Sequence, residues 1–165
     1  MLEEANLGRL KVAISEGDID NDGDYDALYS YGARSFSIWS ANGSLVYDSG
    51  NTISSTLLNL TPEAYADNRS DDKAAEPESV EVLNINDQRY ILFVGLERTD
   101  QVMVFDITNP NAPTFLQILS RNGDEAPEGL LVIPRDQSPN GKDLLVVSNE
   151  AVSYTHLTLP TIYSV

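Results

Sequence analysis

Between residues 9 and 148 the apolar residues come in runs of four to seven, and turn-forming residues separate the runs. The runs are Arg9–Ile14, Ala27–Tyr31, Ser35–Ser40, Ser44–Tyr47, Val80–Ile85, Tyr90–Leu96, Val102–Asp106, Thr114–Ile118, Leu130–Ile133 and Asp143–Ser148. Between them stand Asn42-Gly43, Asn86-Asp87, Asn109-Pro110, Asn122-Gly123 and Asn140-Gly141. Asn-Gly between apolar runs favours a two-residue hairpin, whose central residues need positive φ. Ser35–Ser40 alternates apolar and polar residues until Trp39. A sustained 3.6-residue period is missing throughout, and Thr56–Ala66 has room for one or two helical turns. The expected class is all-β.

The runs also repeat. Glu76-Pro77-Glu78-Ser79-Val80 and Ala126-Pro127-Glu128-Gly129-Leu130 stand 50 residues apart, and each precedes a strand pair. Those pairs end in Val94-Gly95-Leu96-Glu97 and Val147-Ser148-Asn149-Glu150. A looser copy matches Tyr29-Ser30-Tyr31-Gly32-Ala33-Arg34 and the following Phe36–Trp39 with Val94-Gly95-Leu96-Glu97-Arg98 and the following Val102–Phe105. A four-strand unit near 50 residues is the size of a propeller blade, and isolated blades must stack to bury their faces. The pattern therefore predicts a β-propeller fragment of about three four-stranded blades, with the ring not closed. A β-sandwich would account for the strands without the repeat. Gly50–Glu78 interrupts the rhythm and reads as a long polar inter-blade loop.

Residues 151–165 are read separately from the fold. Val152–Thr161, VSYTHLTLPT, is the one-frame translation of a common transposase mosaic-end sequencing adapter. The alternation of Leu157, Leu159 and Ile162 would also suit an edge strand. On the adapter reading the partial propeller occupies 1–150, and further blades and an anchor domain are expected in the full-length chain. The single histidine, His156, then lies in the added tail. With no other His and no Cys, a Ser-His-Asp triad, thiolate catalysis and Cys- or His-ligated zinc are excluded for this segment.

The net charge of −16 and pI near 4.1 oppose nucleic-acid binding, which needs clustered Lys and Arg. No apolar run reaches the roughly 18 residues of a membrane-spanning helix. Met1-Leu2-Glu3-Glu4 does not resemble a signal peptide.

Where the acidic residues concentrate, they alternate. Residues 18–26 read DIDNDGDYD, with Glu16 just upstream. Oxygens at positions 1, 3, 5, 7 and 9 of a tight loop wrap a hard cation, and Gly at position 6 permits the sharp turn. Asp18, Asp20, Asp22 and Asp26 would contribute side chains, and Asp24 a backbone carbonyl. Without a cation these acids repel one another. An EF-hand is rejected because position 12 is Tyr29 rather than Glu, and strands flank the loop. Ca²⁺ is the expected cofactor, at about 10⁻⁴ to 10⁻³ M; Mg²⁺ rarely accepts an all-protein cage.

A second constellation is weaker. Glu78, Glu97, Glu128 and Glu150 recur at equivalent positions. With Arg98, Arg69 and Lys73 they would form a carboxylate ring holding a second metal or an anion. The plainer reading pairs each Glu locally with an Arg and leaves Arg69–Lys73 as a salt-bridged loop.

Four stretches together resemble the choice-of-anchor I family: Glu16–Gly50, Asp67–Val82, Tyr90–Phe115 and Ala126–Glu150. The acidic loop is itself similar to the calcium hairpins of FG-GAP blades, D-x-D-x-D-G-x-x-D before an apolar strand. The family's Gly-Pro-Glu-Pro-Glu-Gly is here Ala74-Ala75-Glu76-Pro77-Glu78-Ser79. The resemblance implies a secreted or cell-surface propeller-like domain that uses calcium, akin to mesenchyme-specific cell-surface glycoproteins and to proteins labelled alkaline phosphatase. Two functions follow. One is a non-catalytic binding or adhesion module with an extracellular ligand. The other is a calcium-dependent phosphoesterase, with Glu97, Arg98 and Glu150 as catalytic candidates and Arg69 and Lys73 gripping phosphate. No residue reads as an evident nucleophile, which favours the first.

Overall fold

Asn86 and Asp87 both take positive φ, 54° and 56°, in the turn that closes the shortest hairpin among the described residues. It joins β3 (Pro77–Ile85) to β4 (Arg89–Leu96), and β5 (Gln101–Asp106) and β6 (Thr114–Leu119) extend the sheet in chain order. All the pairings are antiparallel. In the computed structural model, residues 3, 8–31, 34–65, 68, 70 and 74–150 are described, with the backbone of 155–158.

This four-stranded sheet is the middle layer. Before it come β1 (Ser37–Trp39) and β2 (Leu45–Asp48), joined through Asn42-Gly43, and α1 (Thr52–Leu60). After it come β7 (Pro127–Ile133), β8 (Leu144–Asn149) and β9 (Thr155–Thr158), again antiparallel. Successive strand residues face opposite sides, so β4 and β5 feed two cores. Leu92, Val94, Leu96, Met103 and Phe105 meet Phe36, just before β1, and Ile53 and Leu57 of α1. Ile91, Phe93, Val102 and Val104 meet Val132, Leu145 and Val147 of the third sheet. Phe105 packs edge-on against Phe36 and Phe115, with ring centroids 5.0 and 5.8 Å away.

The 50-residue repeat is visible in the backbone. A bulge follows Pro77 in β3 and another follows Pro127 in β7. Glu76 and Ala126 both have positive φ, 51° and 53°. Each accepts a hydrogen bond from the residue after the partner strand: Glu97 N–H to Glu76 O at 3.1 Å, Glu150 N–H to Ala126 O at 3.0 Å. Across the first rung beyond the bulge one unit pairs Ser79 with Gly95 and the other pairs Gly129 with Ser148. A Cβ on either glycine would lie 2.5–2.6 Å from the opposing serine Oγ, so each rung holds one serine and one glycine. Ser79 thus has a place although it stands where the family pattern has glycine.

Three expectations are corrected. Arg9–Ile14 and Ala27–Tyr31 are not strands; they meet only in an isolated antiparallel bridge, Val12 with Ser30. The sheet they would complete has two strands rather than four among the described residues. The 50–78 stretch is not wholly a polar excursion, because α1 begins at Thr52 and buries Ile53 and Leu57. Beyond Leu60 it makes one 3₁₀ turn, Pro62–Ala64. The all-β class otherwise holds, and the described strands close no barrel. Thr155–Thr158, in the tail read as adapter-derived, lies along the edge of β8.

Candidate functional site

The acidic loop hangs from a neck at Gly17, whose carbonyl accepts hydrogen bonds from Asp26 N–H at 2.9 Å and Ala27 N–H at 3.2 Å. Gly17 has φ of 105°, and a Cβ there would come within 2.2 Å of Ala27 O, so only glycine fits. Asn21 at φ 63° and Gly23 at φ 97° provide the reversal. Asp18 Oδ1 accepts from Asp22 N–H and Oδ2 from Gly23 N–H, both at 3.1 Å. Asp22 Oδ1 accepts from Asp24 N–H at 3.1 Å. Asp26 Oδ2 reaches back to Ile19 N–H at 2.9 Å.

In the loop so folded, Asp18, Asp20 and Asp22 each offer a carboxylate oxygen within 4.8 Å of the others. Such an oxygen-only set suits a hard cation such as Ca²⁺ and is unsuited to softer metals. Asp24 and Asp26, the other expected ligands, are outside that trio; Asp24 borders a cleft of about 260 Å³ with Glu16, Asp18 and Tyr25.

A second carboxylate group lies where β3 begins and β4 ends. Glu76, Glu78 and Glu97 place carboxylate oxygens within 4.8 Å of one another. Glu76 and Glu97 are buried. Arg98 bridges them, its Nε on Glu76 Oε2 and a terminal nitrogen 2.9 Å from Glu97 Oε1. Burial and the neighbouring Glu76 charge raise Glu97; Arg98 opposes them and a hydrogen bond to Glu78 adds, leaving its pKa at about 7. Burial would lower Arg98, but Glu76, then Glu97 and Glu150, hold it above its ordinary value.

The expected ring is therefore gathered in part. Glu78, Glu97 and Arg98 meet, Glu150 acts on Arg98 through its charge, and exposed Glu128 is absent from the trio. Arg69 and Lys73 lie outside the described residues. Glu76 is the member that sequence reasoning missed. Its signal was its place beside Pro77, two positions before Glu78, which was already singled out. Sequence gave no hint either of the cleft of about 410 Å³ between the β3–β4 turn and the 134–143 loop, where Arg135 pairs with Asp143 at 2.7 Å.

The choice-of-anchor I domain model matches residues 1–110, which hold the acidic loop, α1 and the Glu76–Arg98 cluster. The chain belongs to the choice-of-anchor I family. Gigasin-3a of Magallana gigas is 32% identical over 176 aligned residues, covering 88% of this chain and 61% of the relative. The chain thus spans about three fifths of that relative's length. No solved structure matches it significantly. A choice-of-anchor domain points to an extracytoplasmic or surface protein. Among the described residues no helix is long and apolar enough to cross a membrane.

Proposed function

We propose that this choice-of-anchor I chain is a calcium-stabilised, non-catalytic binding or adhesion module of the cell surface or extracellular space, built as part of a β-propeller. The convergence of Asp18, Asp20 and Asp22 within 4.8 Å on a glycine-necked loop carries the reading. The sheets packed in series, and the 50-residue backbone repeat shared by the middle and third of them, support the propeller part. Binding rather than catalysis is favoured because Arg98, the described cation nearest to the buried glutamates, is already shared between Glu76 and Glu97.

Calcium titration by calorimetry, with a parallel thermal melt, tests this. Saturable binding at about 10⁻⁴ to 10⁻³ M is expected, with a rise in Tm that Asp20→Ala/Asp22→Ala abolishes. Absence of both heat and shift would refute the calcium reading. Calcium-dependent turnover of a phosphate ester, lost in Glu97→Gln, would refute the non-catalytic one.

A further inference from the structure

Among the described residues the first sheet lacks the two strands that its counterpart in the repeat possesses, and the valines those strands would cover are exposed. Val80 and Val82 of β3 are 57% and 44% exposed. They lie on the same face as Val94 and Leu92, the face turned toward the first sheet. Fifty residues later, Leu130 and Val132 occupy the same positions in β7, and both pack into the core shared with the middle sheet. The two valines differ in having no inner strands of a preceding sheet over them.

The missing pair is present in the chain. Arg9–Ile14 alternates, with Leu10, Val12 and Ile14 on one face and Arg9, Lys11 and Ala13 on the other. Val12 already bridges Ser30 antiparallel, and Ala13 N–H donates to Tyr29 O at 2.8 Å. Continuing that register sets Ile14 opposite Leu28 on the face of Val12. The repeat aligns Ser30 with Gly95 and Phe36 with Val102, and Gly95 pairs with Val102. Leu28 and Ser30 thereby extend the row of Ile38 and Phe36, which already pack against the middle sheet. Ile14 and Leu28 are nevertheless 83% and 60% exposed. The loop joining the two segments is the Asp18–Asp26 loop.

We infer that residues 9–14 and 27–31 close as a strand pair over Val80 and Val82 when a divalent cation fills the 18–26 loop, completing a four-stranded first sheet. This rests on the calcium reading above. The two ends already meet at the Gly17 neck and at the Val12–Ser30 bridge, and neutralising the loop carboxylates removes a repulsion that opposes pairing on either side of that bridge. The strand pair then zips from its tip, and Leu10, Val12, Ile14 and Leu28 meet the two valines.

The chain has no cysteine, so a Val80→Cys variant carries a single thiol. Its maleimide labelling rate is measured in Ca²⁺ and in EGTA, beside a Leu131→Cys reference on the third sheet and calorimetry on the same samples. Calcium is expected to slow labelling at position 80 at least tenfold, leave position 131 unchanged, and lose this effect in Asp20→Ala/Asp22→Ala. Hydrogen exchange on the unsubstituted chain supplies a second readout: calcium should protect the amides of 10–14 and 28–31 by a similar factor. Bound calcium without protection in either readout overturns the inference and leaves the calcium reading standing. No bound calcium overturns both. Protection that grows with protein concentration, together with a doubled mass in sedimentation, gives the face to a second copy and overturns the inference alone.

Discussion

Glu97 holds its proton more tightly folded than unfolded, since its pKa stands at about 7 against an ordinary 4.5. Its protonated form is favoured by the fold, so its contribution is fully present below pH 4.5 and is lost as pH rises through about 7. Asp48 and Asp106 are displaced downward, away from this window. Melting should therefore fall between pH 5.5 and pH 8, and Glu97→Gln should flatten the profile by an amount on the order of 1–3 kcal/mol. An unchanged slope in thermal melts of the variant would dissociate Glu97 from the effect. Gly17→Ala is a second change confined to one residue. Its methyl would strike Ala27 O, so calcium affinity should drop at least tenfold by calorimetry while the two cores stay folded.

Within the sheets, the serine–glycine rungs form a reciprocal pair. Gly95→Ser puts two side chains where one fits and should cost roughly 1–3 kcal/mol in denaturant unfolding. Adding Ser79→Gly reproduces the arrangement of Gly129 and Ser148, and most of the loss should return. Such rungs were beyond sequence reasoning, although the strands they belong to were not. The runs at Tyr90–Leu96 and Val102–Asp106 were legible because continuous apolar residues suit strands covered on both faces. The start of β3 was hidden, since Pro77, Glu78 and Ser79 look like turn residues, yet Pro77 and Ser79 pair with β4 on either side of a bulge at Glu78. In α1, Ile53 and Leu57 show the i, i+4 spacing of a buried stripe, but the serines and threonines around them mask it. The gathering of Asp18, Asp20 and Asp22 was legible because the loop that holds them is local in sequence. The cluster of Glu76, Glu97 and Arg98 depends on which strands become neighbours, and only the spacing of its repeat was visible.

At the scale of the whole molecule, a net charge of −16 opposes compaction. Added NaCl in EGTA should raise Tm by screening it, and millimolar Ca²⁺ at matched ionic strength should raise Tm further. Equal shifts from Ca²⁺ and from ionic strength alone would reduce calcium to a counterion. The middle sheet carries most of the packing, with Phe93 and Phe105 fully buried on opposite faces. Truncating either to Ala should cost about 3–5 kcal/mol in chemical denaturation and unfold the stack as one. A sheet sealed on both sides also sets a timetable for synthesis. When residues 77–119 leave the ribosome, the partners for one oily side have already emerged, while those for the other are still to be translated. Until about residue 149 follows, the nascent chain waits with Ile91, Phe93, Val102 and Val104 open to water, and that interval is when a chaperone has most to hold.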